Sequence, residues 1–265
     1  MPDSQPTIGV FDSGFGGLTV LKALLENIPG ASYLYFGDTA RLPYGSKSVE
    51  TVAKYAVEAT RFLEQQGAEL LVIACNTASA LALPRIEQAA QVPVVGVVEP
   101  GAQAATAASK NRRVVVIGTE ATVSSHAYRK ALEVRGVKAS EKACPLLVPL
   151  VEEGWVEHTV TEQVAKIYMD EAFAGEFKTA DVLVLGCTHY PLLKGVLSKV
   201  APAHVCIVDS AESTAHTVAG MVQTENKGAT SLKFFATDSA EKFKRLGTRF
   251  LGCSIPEVRH VDLRE

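Results

Sequence analysis

Two short runs of uninterrupted apolar residues constrain this chain most: Leu70-Leu71-Val72-Ile73-Ala74 and Val182-Leu183-Val184-Leu185. A strand with one wet face alternates apolar and polar side chains. A continuous run instead marks a strand covered on both faces, as in parallel sheets flanked by helices. Further strand-like runs fall at residues 7–11, 33–36, 94–98, 114–117, 205–209 and 232–236. Stretches of helical period separate them. Leu18, Val20, Leu21, Leu24 and Leu25 follow the first strand, and Val52, Tyr55, Ala56, Ala59, Phe62 and Leu63 share one face of a helix over 48–66. Residues 80–90, 161–173, 210–221 and 239–251 read as helices as well. This alternation predicts an α/β fold: two pseudo-symmetric units of mostly parallel strands flanked by helices.

A length of 265 residues suits two medium domains. Glu99-Pro100-Gly101 interrupts the periodicity, which predicts a boundary near Glu99. Segment 145–151 carries Pro145 and Pro149 around a short apolar run, readable as a strand or an extended link. With 47% hydrophobic residues, 21% charged and net charge −3, the chain has no basic stripe for a nucleic-acid backbone. No apolar run approaches the roughly 20 residues that span a bilayer, so no membrane partner is expected. Five cysteines without regular spacing do not make a disulfide framework, and a cytoplasmic location with reduced thiols is expected.

Each of the two defining runs ends on a cysteine followed by small polar residues, Cys75-Asn76-Thr77 and Cys187-Thr188-His189. In open parallel sheets ligands bind beyond the carboxyl ends of the strands, where Cys75, Cys187, Ser13 and Asp38 would all gather. Either cysteine alone could be a small core residue. Matched in this way, two thiols across a cleft can act on opposite faces of one carbon, which points to stereochemical inversion. The reactive form is the thiolate, and a helix amino end beside each cysteine would favour it. Cys144, Cys206 and Cys253 lack this setting and read as structural. A zinc site is disfavoured because no cysteine pair has ligand spacing, so no metal is expected.

Loop 12–17, Asp12-Ser13-Gly14-Phe15-Gly16-Gly17, matches neither the dinucleotide fingerprint nor a P-loop. It is either a tight strand-to-helix turn or a cradle of N–H groups for a substrate carboxylate. Thr119 and Thr122 suit helix capping, which is compatible with a carboxylate contact. Pro43-Tyr44-Gly45 reads as a turn.

Together these blocks, with Phe36-Gly37-Asp38-Thr39, Val151-Glu152-Glu153-Gly154 and His189-Tyr190-Pro191-Leu192, resemble the aspartate/glutamate racemase superfamily, and within it the glutamate racemases. The resemblance spans nearly the whole chain. It implies a cofactor-independent enzyme with a first domain of residues 1–98 completed by 210–265, a second of 99–209, and the active site between them. Cys75 would take the α-proton from D-glutamate and Cys187 from L-glutamate. Asp12 and His189 would assist the respective thiols, while Asp38 and one carboxylate of the Glu152-Glu153 pair, taken as Glu152, would be further polar groups of the site. Ser13, Pro43, Tyr44, Gly45, Asn76, Thr77, Thr119, Thr122 and Thr188 would bind substrate. The product D-glutamate would serve peptidoglycan synthesis and so cell shape. Some family members answer to a cell-wall precursor through an N-terminal extension, which is not expected here. Aspartate racemisation, or a non-catalytic amino-acid-binding or thiol-sensing role, are the alternatives. A homodimer is compatible with the sequence, which does not fix the oligomeric state.

Overall fold

The computed structural model describes residues 5–222 and 229–263. The first strand-and-helix set runs β1 (Thr7–Asp12), α1 (Leu18–Asn27), β2 (Ser32–Gly37), α2 (Val49–Gln65), β3 (Leu70–Ile73), α3 (Asn76–Ala89) and β4 (Val94–Gly96). A second set follows as α4 (Val98–Ala108), β5 (Arg113–Gly118), α5 (Glu120–Ser125), α6 (Ala127–Glu133), β6 (Lys138–Ala143), α7 (Leu147–Glu152), α8 (Thr159–Ala172), β7 (Val182–Gly186), α9 (Lys194–Val200) and β8 (Cys206–Asp209). The chain closes with α10 (Ser210–Ala219), β9 (Ser231–Ala236), α11 (Ala240–Leu251) and β10 (Arg259–His260).

All ladders among the described residues are parallel. One sheet has the order β10-β9-β2-β1-β3-β4 and the other β6-β5-β7-β8. Within the first, β2-β1-β3-β4 repeats the order of the second, so β3 and β7 are equivalent strands. Every residue of β3 and of β7 is buried, as their continuous apolar runs require. Strands β9 and β10 return to the first sheet from the far end of the chain. Between the sheets, α10 packs on both α1 and α4, and one buried cluster runs from Ile8, Val10 and Leu18 through Ala215 to Leu183 and Leu185.

Helix α11 is strongly amphipathic, burying Phe243, Leu246, Phe250 and Leu251. Full burial of such side chains stabilises by about 1.5–3 kcal/mol each. That anchorage matters for the site, because α11 carries Lys242 to it.

Three local readings change. Glu99-Pro100-Gly101 lies inside α4, not between elements, and the strand expected over 94–98 stops at Gly96. Pro100 is the third residue of α4, where a backbone N–H has no intrahelical acceptor and its loss costs nothing. Segment 145–151 is neither strand nor link: it holds α7, with Pro149 again third in its helix. Helix α3 starts at Asn76 rather than 80, which makes Cys75 its N-cap.

Candidate active site

A cleft of about 420 Å³ opens between the two sheets. Its walls come from the segments that follow the carboxyl ends of four strands: Ser13 after β1, Cys75, Asn76 and Thr77 after β3, Thr119 after β5, and Cys187, Thr188 and His189 after β7. Pro43, Tyr44 and Gly45, at a single 3-10 turn (Tyr44–Ser46), form another part of the wall, and Glu152 reaches it from the end of α7.

On one side, the Cys75 thiol donates to Ser13 Oγ at 3.5 Å, and the Ala78 N–H at the start of α3 donates to its sulfur at 3.5 Å. Burial nevertheless pushes this thiol up to about 12, and the negative charge of Asp12 adds to the effect. The helix amino end expected to favour thiolate is outweighed by desolvation. Asp12 is itself buried. Its Oδ2 accepts the Gly14 N–H at 2.9 Å, and Oδ1 has no hydrogen-bond partner among the described residues. Burial raises its carboxyl against the pull of the Gly14 and Gly17 N–H groups and of His189. Thus the loop's own acid takes the Gly14 N–H, and of loop 12–17 only Ser13 lines the cleft.

The other side is built differently. His189 Nδ1 lies 4.0 Å from Cys187 Sγ, its Nε2 lies 3.2 Å from Glu152 Oε1, and Phe250 of α11 meets the ring edge-on at 5.0 Å. Burial alone would lower the histidine, but the Cys187 sulfur and the Glu152 carboxylate together overcome it and raise it to about 10. In return, the His189 hydrogen bond holds the Glu152 carboxyl below its ordinary value. At neutral pH, His189 is therefore an imidazolium clamped between sulfur and carboxylate. Cys187 precedes a 3-10 turn (Tyr190–Leu193), not an α-helix, so no helix amino end caps it. Gly16 makes room for this group: a Cβ there would fall 2.2 Å from Thr188 Oγ1 and 2.6 Å from His189 Nδ1.

Across the cleft floor, the hydroxyls of Thr77 and Thr119 lie 3.0 Å apart, and those of Thr119 and Thr122 lie 2.9 Å apart. Thr119 also caps α5 by accepting the Thr122 N–H at 3.3 Å. Three expected site residues stand behind the wall instead of lining it: Asp12, Asp38 and Thr122. Asp38 is completely buried, where it accepts Tyr44 OH at 2.5 Å, Thr237 Oγ1 at 2.9 Å and Arg41 Nε at 2.7 Å. A carboxylate so occupied fixes Tyr44 in the wall. Among the described residues, no group of three or more His, Cys, Asp or Glu side chains is placed to hold a metal ion.

Residues 8–218 match the family model described as Asp/Glu/Hydantoin racemase. The chain belongs to this racemase family. A relative described as a glutamate racemase, from Koribacter versatilis, is 57% identical, with the match covering 99% of each chain. Among solved structures, glutamate racemase isoform RacE1 from Bacillus anthracis is 38% identical at a TM-score of 0.91, over 97% of this chain and 98% of that one. The Francisella tularensis glutamate racemase, solved in complex with D-glutamate, is 34% identical at 0.89, over 98% of each.

The racemase cleft also contains groups that sequence reasoning did not single out. Lys242 from α11, Glu120 at the start of α5, and the apolar Leu42, Val148 and Pro149 all line it, and so does Glu153, the other member of the Glu152-Glu153 pair. No pattern in the sequence ties Lys242 to the cysteine strands, and only the packing of α11 brings it here. Cys144 is buried, as a structural cysteine would be, whereas Cys206 and Cys253 are exposed. Among the described residues of this racemase, no helix is long and apolar enough to cross a membrane.

Proposed function

We propose that this racemase interconverts L- and D-glutamate by a two-base mechanism carried by Cys75 and Cys187, without a cofactor. The observation that carries the reading is the pair of cysteines on equivalent strand tips, both facing one cleft. A D-glutamate complex of a similar enzyme supports the substrate. The domain division at residues 1–98 with 210–265 and 99–209 belongs to the same reading, as does an active site between the two sheets.

In the direction from L-glutamate, the Cys187 sulfur takes the α-proton as a thiolate. The C–H electron pair stays on the α-carbon and spreads into the adjoining carboxylate, where hydroxyl and amide donors of the cleft receive the developing charge. The Cys75 thiol then delivers its proton to the opposite face and becomes the thiolate. The reverse direction exchanges the two roles. High desolvation at Cys75 keeps it a thiol before substrate arrives, while the His189 imidazolium supplies positive charge beside Cys187. The two thiols thus have unlike partners, a cation beside Cys187 and the buried acid Asp12 beside Cys75. Asp38 acts through Tyr44, and Thr77, Thr119, Asn76 and Thr188 supply donors to the substrate. Operating in the cytoplasm, the enzyme would feed D-glutamate to peptidoglycan synthesis.

Polarimetry on purified protein, stripped of metals and given no cofactor, tests the function. Either glutamate enantiomer should relax to the racemic mixture, with aspartate turned over far more slowly. No loss of rotation with glutamate would refute the assignment, and faster turnover of aspartate would move it to the other branch of the family.

A further inference from the structure

Asn76 follows Cys75 directly and lines the cleft, yet its side-chain oxygen is already engaged. Tyr128 of α6, fully buried, donates its hydroxyl to Asn76 Oδ1 at 2.6 Å. On the other side of the amide, Asn76 Nδ2 points to Ser210 Oγ at 3.5 Å. Helices α3, α6 and α10 meet at this triangle. Tyr128 is held from two further directions by glycines, since a Cβ at Gly101 would lie 3.2 Å from its ring and hydroxyl, and one at Gly186 would lie 3.1 Å from its ring.

A primary amide has two chemically opposite ends, a carbonyl that accepts and an NH₂ that donates, and rotating it by half a turn exchanges them. We infer that Tyr128 is a positioning residue that sets which end of the Asn76 amide faces substrate. By donating to Oδ1, it turns the carbonyl away and leaves N–H as the group offered to the cleft. Glutamate brings two carboxylates and one ammonium. An N–H at this point takes a carboxylate oxygen, whereas a carbonyl would attract the ammonium and turn the substrate round. The same hydrogen bond joins the segment after Cys75 to a helix that follows the second sheet's β5, so the amide next to one thiol is oriented from the unit that carries the other.

This inference rests on the proposed glutamate reaction and on Asn76 as a substrate contact, and the controls separate them. Tyr128→Phe removes the hydroxyl and keeps the ring. Loss of one orienting hydrogen bond should raise KM for both enantiomers about tenfold, with kcat within about threefold of the parent. In an Asn76→Ala background, which raises KM by itself, Tyr128→Phe should add nothing. Should Tyr128→Phe fail to fold, Ser210→Ala gives the same test with a rise of about threefold. Parental KM in Tyr128→Phe, or the same KM increase with and without Asn76, overturns the positioning role. An Asn76→Ala variant at parental KM overturns it too, by removing Asn76 from the substrate's contacts. A parent protein that racemises no glutamate overturns the proposed function instead.

Discussion

Cys75 and Cys187 stand on topologically equivalent strands, yet one faces a buried acid and the other a buried cation. Beside Cys75 lie Asp12, whose Oδ1 has no hydrogen-bond partner among the described residues, and the neutral hydroxyl of Ser13. Beside Cys187 lies His189, charged at neutral pH and backed by Glu152. Duplication of the sheet order brings two thiols to one cleft, and divergence of their neighbours gives the two sulfurs unequal electrostatic surroundings. Two sulfurs in identical settings would share one protonation state before substrate binds, whereas inversion needs one base and one acid.

The largest effect expected from breaking this comparison is removal of either sulfur. Cys75→Ala and Cys187→Ala should each lower racemisation by at least about 10³-fold, read by circular dichroism of glutamate. A single variant retaining the parental rate would leave one-base chemistry as the explanation.

A smaller effect targets the asymmetry. His189→Asn should slow turnover about 10²-fold while making proton removal by Cys187 more rate-limiting than removal by Cys75. Deuterium at the α-carbon should then slow L-glutamate more than D-glutamate. Equal isotope effects on the two enantiomers would show that His189 does not favour one thiol. The pH dependence of stability follows from the same residue. Because His189 is raised from 6.5 to about 10 in the folded protein, its contribution is complete below about pH 6.5 and is lost as pH rises toward 10. Glu152, held below its ordinary 4.5, contributes above that value and loses its contribution as pH falls below it. Urea unfolding of the parent should therefore lose stability relative to His189→Asn between pH 6.5 and 10, and a constant difference across that range would contradict the charged pair.

Asp38 offers a contrast in kind, since it is fully hydrogen-bonded behind the cleft. Asp38→Asn should cost about 1.5–3 kcal/mol of stability by weakening the charged hydrogen bond to the part-buried Arg41, which keeps Glu58, and it should raise KM through Tyr44 more than it lowers kcat. A kcat collapse with unchanged stability would return Asp38 to the chemistry. The smallest effect belongs to Lys242, exposed at the cleft mouth. Lys242→Ala should raise KM about twofold at low salt and leave it unchanged at high salt, as screening dictates. A salt-independent rise would mean direct contact with substrate.

Much of this arrangement is legible in the chain because strand tips are local. A continuous apolar run names a strand buried on both faces, and the residues just beyond it must reach the crevice. That rule alone groups Cys75, Asn76, Thr77, Cys187, Thr188 and His189. Depth is not legible. Asp12, Asp38 and Thr122 neighbour cleft residues in sequence, but the turns after β1 and β2 and the cap of α5 rotate them behind Ser13, Tyr44 and Thr119. Proline misleads twice, because Pro100 and Pro149 sit in first helical turns where they break nothing. Lys242 and Tyr128 come only with the packing of α11 and α6, for no sequence spacing ties either to a thiol.

Exchange of the α-hydrogen in heavy water, followed by proton NMR on each enantiomer with each cysteine variant, tests the two-base claim most directly. Cys75→Ala, which keeps Cys187, should wash out the α-hydrogen of L-glutamate only, and Cys187→Ala that of D-glutamate only, each without racemisation. Exchange of both enantiomers by either single variant would contradict the assignment of one thiol to each face.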